Sequence, residues 1–323
     1  MTSDPTQADL ARACYRVLLG REPENERVVE ERTAAGMSPE EMMLSFIRSD
    51  EYRKHTAEQM IHDYLMANHD YDSLDIEVDV PGQTLARMFE RIKAEWAALG
   101  ETEPYWSVIT AEEFRSANIR KNLEVFFQSG QTNIHWMQNL ARRNGIETGT
   151  HQTCFELGCG VGRLTLPLSE LFGHVTAFDI SPGNLRECEA LIAARGRNNI
   201  TTRLMTEIET IHEAPEFDVL FSIIVLQHNP PPVQKYLLDV LLSKIRPGGI
   251  AYFQLPTYIP QYSFAAEDYL ASPPGEMEMH AVPMRHVLAL LSQHGFRLLE
   301  VLQDQFTGMP GSHSFLAVRD GAA

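Results

Sequence analysis

The stretch TCFELGCGVGRLTLPLSELFGHVTAFDISPGNL, residues 153–185, limits what this chain can fold into more than any other. An apolar run ending in Glu156-Leu157 meets three alternate glycines, Gly158, Gly160 and Gly162, and then a helical pattern. Glycine lets the backbone turn sharply and lets a ligand approach it, because no Cβ stands in the way. The pattern predicts a strand, a tight turn and a helix, with a ligand lying against the turn. A second apolar run ends in Asp179. A carboxylate at a strand end can accept two hydrogen bonds from ribose hydroxyls, so the ligand is expected to contain a nucleoside. Dinucleotide folds use GxGxxG, which brings a helix N-terminus to a pyrophosphate. Here the spacing is GxGxG and an acid precedes it at Glu156. That acid would repel a pyrophosphate and suits a cofactor with an ammonium or sulfonium group.

From residue 153 the pattern alternates strand and helix. Strands are expected at 153–157, 175–179, 200–204, 217–225 and 249–255, with helices between them. Two further strands, 298–304 and 314–319, are separated by too few residues for a helical crossover and must be antiparallel. The fold class is therefore α/β, a doubly wound and mostly parallel seven-stranded sheet with an antiparallel last strand, preceded by a small all-helical domain. The divisions expected are a helical module at 1–70, with a helix from His55 to about Ala67, an acidic linker ending in Pro-Gly at 71–82, a helical lid or connector at 83–150, and the α/β domain at 151–323. In the module, Ser38-Pro39-Glu40-Glu41 has capping-box spacing. In the connector, Leu85, Met88, Phe89, Ile92 and Trp96 make an apolar helix face ending at Gly100, and Thr110-Ala111-Glu112-Glu113 is a second capping box. That second box is expected to open a helix running to FFQSG at 126–130, with a separate helix from Asn133 to about Arg143.

ELGCGVGR followed by FDIS resembles motif I and its acidic successor in class I S-adenosylmethionine-dependent methyltransferases, which share a Rossmann-like sheet closed by an antiparallel hairpin. FDVLFSIIVLQHNPPP at 217–232 and RPGGIAYFQLP at 246–256 resemble the same family's fourth and fifth strands. The resemblance implies that Gly158, Gly160 and Gly162 pass beneath the cofactor, that Asp179 holds its ribose and that Ile180 covers the adenine. It also implies Glu156 and Arg163 at the amino-acid end and Gln227 at the end of the fourth strand. Where the family often has Gly-Asp after the third strand, this chain reads Leu204-Met205-Thr206-Glu207, so Thr206 or Glu207 would have to meet the adenine. LGETEPYWSVIT at 99–110 resembles a segment that covers the pocket in a subgroup, with Tyr105 and Trp106 as a lid. YRVLLGREP and GMSPEEMMLSFIRSDEYR, within residues 15–53, resemble a small bacterial domain of unknown function, related to phycobilisome-linker repeats and often attached to surface-glycan enzymes.

Methyl transfer needs no enzyme nucleophile, only alignment, but a hydroxyl acceptor gains from a base that takes its proton. Histidine suits this near pH 7, and His228 and His280 stand out, the first beside the presumed methyl site and the second in the long segment after the fifth strand. With one of them as base, the rate is expected to rise through a pKa near 6.5. The expected acceptor is a small-molecule or glycan hydroxyl, the expected product S-adenosylhomocysteine. An NAD-dependent oxidoreductase and a non-catalytic methyltransferase-like scaffold are the rival readings. A net charge of −17 opposes nucleic acid as partner. The module is left as a surface for a protein partner. The N-terminus lacks the basic start and apolar core of a signal peptide, and the apolar run 219–226 is too short to span a bilayer, so a cytoplasmic protein is expected. Four cysteines without CxxC pairing predict free thiols, and no metal set is expected.

Overall fold

The structure, a computed structural model, describes residues 6–34, 36–54, 56, 74–308 and 311–321. It divides into two compact units, residues 1–71 and 72–323. The helix expected between His55 and Ala67 lies largely outside the described residues.

In the first unit, α1 (Gln7–Leu18), α2 (Glu26–Thr33) and α3 (Pro39–Ile47) enclose a core of Ala11, Cys14, Tyr15, Val29, Met42 and Phe46. Ser38 caps α3 as its spacing predicts: its hydroxyl accepts from Glu41 N, and the Glu41 carboxylate accepts from Ser38 N.

The second unit is built on seven strands: β1 (Thr153–Leu157), β2 (His174–Asp179), β3 (Ile200–Leu204), β4 (Phe217–Ser222), β5 (Ile245–Pro256), β6 (Phe296–Gln303) and β7 (Ser312–Arg319). Their order is β3-β2-β1-β4-β5-β7-β6. Pairing is parallel from β3 to β5, and β7 runs antiparallel to both β5 and β6. The order reverses between β1 and β4, and open α/β sheets bind ligands at the strand carboxyl ends beside such a point. Both faces of the sheet are apolar because helices cover both. Phe155, Phe253 and Phe315 pack with α4 (Gly82–Thr102), α9 (Pro231–Lys244) and α11 (Met284–Gln293). Cys154, Val219 and Leu316 pack on the other face with α6 (Ile119–Arg143), α7 (Thr165–Leu171) and α8 (Pro182–Ala194). The short helices α5 (Pro104–Val108) and α10 (Ala266–Ala271) complete the unit.

Several local expectations are corrected. The fourth strand stops at Ser222 rather than 225, because Ile224 takes a positive φ of 59°. No capping box forms at Thr110; Glu112–Phe114 is a single 3-10 turn with no side-chain cap. The two helices expected on either side of Gly130 are one, α6, and Gly100 lies inside α4. Both glycines mark contacts instead of ends: a Cβ on Gly130 would lie 2.2 Å from the Arg163 carbonyl oxygen, and one on Gly100 would lie 2.0 Å from Ser181 Oγ. The 71–82 stretch is not a free linker from residue 74 onward, since Ile76 bridges Phe264 and both Ile76 and Val78 are buried.

Candidate active site

The glycine turn forms where the sequence places it, between β1 and α7. Gly158, Gly160 and Gly162 all have positive φ, 74°, 54° and 86°. A side chain would be strained at each position and would also collide: a Cβ on Gly158 would fall 2.3 Å from Val225, and one on Gly160 would fall 2.7 Å from Val108. The turn is pinned to β2. Gly158 N and Cys159 N donate to the Phe178 carbonyl at 2.7 and 3.2 Å. The Asp179 carboxylate accepts from Gly160 N at 2.7 Å and from Ser181 N at 2.8 Å. Burial raises the Asp179 pKa above its ordinary value, and these backbone donors oppose the rise.

A cavity opens at this corner. Of the residues singled out in the sequence, Gly158, Asp179, Ile180 and His228 line it. Phe89, Ile92 and Trp96 of α4 form another wall, with Met205 and Val225. The apolar stripe on α4 was legible, but its division between core and cavity was not. Thr206 and Glu207 do not reach the cavity. Both are exposed: the Thr206 carbonyl accepts from Lys93 Nζ at 2.6 Å, and Glu207 caps the 3-10 turn that follows. Met205 turns inward in their place, its N–H bonded to the Asp179 carbonyl at 2.8 Å. The helix α5 does cover the glycine turn, through Val108. Tyr105 bonds instead to Glu187 at 3.1 Å, and Trp106 lies under the Arg115 guanidinium at 3.7 Å, so neither lines the cavity.

Two ionisable side chains are buried beside the turn with bonding capacity left over. Glu156 is 1% exposed, and neither carboxylate oxygen has a hydrogen-bond partner. Burial pushes its pKa up to about 8, against the pull of the Thr165 hydroxyl and the Arg163 guanidinium. Arg163, 2% exposed, donates through Nη1 to Asn133 at 2.7 Å and to Ser129 at 3.2 Å, both on α6, while its Nε has no partner. Its pKa falls to about 10 through burial, against the attraction of Glu156. Buried charges normally come with partners, so an opposed pair with unused donors and acceptors is an arrangement suited to a zwitterionic ligand.

On the other side of the cavity the His228 ring packs tilted against Trp96, ring centroids 5.0 Å apart at an interplanar angle of 58°. Its Nδ1 donates to the Glu278 carbonyl at 3.1 Å, and its Nε2 accepts from the Gln227 amide at 3.2 Å. Gln227 is held in turn by Gln254, whose Nε2 donates to Gln227 Oε1 at 3.1 Å and to Ser312 Oγ at 2.8 Å. Gln254 Oε1 accepts from Ile224 N at 2.8 Å, which fixes the positive φ of that residue. Ser312 donates onward to Asp304. Gln254 is completely buried, and nothing in its surrounding sequence marked it out. His280, 5% exposed, bonds through Nδ1 to the Tyr262 hydroxyl at 2.8 Å, and its Nε2 has no partner. Burial pushes the pKa of His228 down to about 4; burial, with His228 and Arg91 nearby, pushes that of His280 down to about 3. Both rings are neutral at pH 7, and a histidine-dependent pH limb belongs near 3 to 4, not at 6.5.

Residues 155–249, less than a third of the chain, match the family described as "Methyltransferase domain". A ubiquinone biosynthesis O-methyltransferase from Caulobacter vibrioides is 32% identical over 120 residues, 36% of this chain and 46% of that protein, so the match spans less than half of the relative's length. Among solved structures, a magnesium protoporphyrin IX methyltransferase from Synechocystis with bound S-adenosylmethionine is 16% identical, covering 71% of this chain and 97% of its own, with a TM-score of 0.48. An N-methyltransferase from Bradyrhizobium japonicum with S-adenosylhomocysteine is 14% identical over 72% of this chain and 98% of its own, with a TM-score of 0.46.

Proposed function

We propose that the chain is an S-adenosylmethionine-dependent methyltransferase that acts on a hydroxyl of a small molecule or glycan and releases S-adenosylhomocysteine. The observation that carries this reading is the buried pair of Glu156, both of whose oxygens lack a partner, and Arg163, whose Nε lacks one, beside a glycine turn pinned by Asp179. An amino-acid end group fits that pair, ammonium to Glu156 and carboxylate to Arg163 Nε. The backbone at Gly158 leaves room for the chain between, Asp179 keeps acceptor capacity for a ribose, and Ile180 with Met205 offers apolar surface to an adenine. When bound, the cofactor supplies a methyl group on a sulfonium. A pyrophosphate would meet the Glu156 carboxylate and lacks its GxGxxG spacing, which weighs against the NAD reading.

The protein's task is then to hold the acceptor in line and remove its proton. His228 has both ring nitrogens engaged, and its part is to form the wall and hold the Glu278 backbone and the Gln227 side chain in place. His280 keeps Nε2 unengaged, so it is the histidine this reading assigns to the acceptor's proton. The O-methyltransferase similarity supports oxygen as the atom methylated. The N-terminal module is assigned assembly or targeting through a protein partner, and the glycan option rests on its resemblance alone. The test is incubation of the full chain with methyl-labelled cofactor and fractionated bacterial extract, followed by identification of the labelled compound. An oxygen-linked label supports the reading. Tight S-adenosylhomocysteine binding with no labelled product in any fraction would favour the scaffold instead.

A further inference from the structure

A second, larger cavity lies between the 74–77 segment and the chain that follows β5, and its lining differs in character from the first. Its walls are aromatic: Tyr262, Phe264 and Tyr269 surround the His280 ring with centroids 6.0, 5.7 and 5.6 Å away, each edge-on. Its rim is acidic. Asp75, Glu77, Asp268 and Glu278 all line it, and no lysine or arginine does so among the described residues. The nearest cation, Arg91, is already engaged: it stacks over Tyr269 at 4.0 Å and donates to Glu278 at 2.9 Å and to the Ser272 carbonyl at 2.9 Å. Glu77 is partly engaged as well, accepting from Ala266 N at 2.7 Å. Asp75 and Asp268 keep their charge facing outward.

Acidic residues at a surface do not by themselves make a site. The second observation is His280, which is 5% exposed, lines this cavity and has an Nε2 without a hydrogen-bond partner. The atom closest to serving it is Glu278 Oε2, at 3.8 Å, beyond hydrogen-bond reach. A buried ring nitrogen left open within an aromatic and acidic enclosure calls for a ligand that supplies one polar atom to the histidine and positive charge to the rim. Aromatic faces add to the attraction for a cation, and an excess of carboxylates repels an anion.

Resting on the methyltransferase reading, we infer that this cavity is the acceptor site and that the acceptor is cationic: a small molecule carrying a protonated amine at the end away from the hydroxyl that meets His280. Tyr262, Phe264 and Tyr269 hold its body, the hydroxyl faces Nε2, and the ammonium lies toward Asp75 and Asp268. A carboxylate-bearing acceptor of the same shape is excluded by the same charges.

The experiment compares two probes with one phenol body and opposite charge, tyramine and 4-hydroxyphenylacetate, titrated into the full chain in the presence of S-adenosylhomocysteine and followed by saturation-transfer NMR and calorimetry. Tyramine is expected to bind about 10-fold or more tightly than 4-hydroxyphenylacetate, with the ratio shrinking as salt is raised. The double variant Asp75→Asn, Asp268→Asn is expected to bring the ratio close to one while S-adenosylhomocysteine affinity stays as in the wild type. His280→Gln is expected to weaken tyramine and leave the variant's cofactor affinity unchanged. Equal binding of the two probes, preference for the carboxylate, or no binding of tyramine at millimolar concentration overturns the inference. S-adenosylhomocysteine affinity is read separately in the same titrations, so a chain that binds it without discriminating the probes loses this inference and keeps the methyltransferase reading. A chain that discriminates the probes but ignores S-adenosylhomocysteine loses the methyltransferase reading, and with it the assignment of the bound cation as a methyl acceptor.

Discussion

Replacing Glu156 with Gln should make the ligand-free protein more stable and the cofactor complex weaker. The carboxyl is 1% exposed, has no partner at either oxygen, and is pushed by burial from its ordinary 4.5 up to about 8. An acid whose pKa is higher in the folded than in the unfolded state stabilises the fold most below its unfolded pKa. That contribution is lost as pH rises toward the folded value. The loss accumulates at about 1.4 kcal/mol per pH unit, reaching about 3 kcal/mol at pH 7 and continuing to pH about 8. Gln resembles the protonated acid in size and in its unmet hydrogen bonds, so Glu156→Gln removes the ionic cost and little else. Melting curves of wild type and variant should coincide near pH 5 and separate by roughly 6 to 12 °C at pH 7, the variant higher. Cofactor binding should move the opposite way. An ammonium arriving beside Glu156 favours its ionised form, so binding at pH 7 should release a proton, seen by calorimetry in buffers of different ionisation enthalpy. In the variant that release should vanish, and S-adenosylhomocysteine affinity should fall by about 1.5 to 3 kcal/mol. A variant that melts at or below the wild type at pH 8, or that binds with undiminished affinity, would refute the reasoning.

Asp179→Ala should weaken S-adenosylhomocysteine by about 1.5 to 3 kcal/mol and also lower the melting temperature, since the Gly160 and Ser181 amides lose their acceptor; calorimetry and thermal melts read the two separately. Gly130→Ala, normally favourable in a helix, should destabilise by about 1 to 3 kcal/mol because its Cβ would press on the Arg163 carbonyl, and denaturant titration would show it. Removing residues 1–71 should leave cofactor affinity within about twofold by calorimetry, because the glycine turn, Glu156, Arg163 and Asp179 all belong to the second unit. Once an acceptor is in hand, turnover should stay flat from pH 7 down past 6 and fall only near pH 3 to 4, where the buried histidines take up a proton.

The sequence disclosed most where local pattern and tertiary role coincide. The glycine turn, the Asp179 strand end and the antiparallel closing hairpin each carry their own short-range signature, and each occurs as read. Gly100 and Gly130 were misread because glycine ends helices and also admits close neighbours, and only the neighbour distinguishes the two uses. Thr206 and Glu207 were named because they stand where the resembled family often has Gly-Asp, but the chain after β3 turns Met205 inward. Gln254 sits in a strand among apolar residues, and its importance comes from Gln227, Ile224 and Ser312, which are distant along the chain.

That glutamine has a consequence for how such an enzyme diversifies. The stretch matching the methyltransferase-domain family ends at residue 249, whereas the side chains that immobilise the His228 wall come from Gln254, Ser312 and Asp304. On the proposed reading, cofactor recognition and acceptor-side architecture are thus written in different portions of the polypeptide. Exchange of the C-terminal hairpin could retune what is methylated while the donor chemistry upstream stays as inherited.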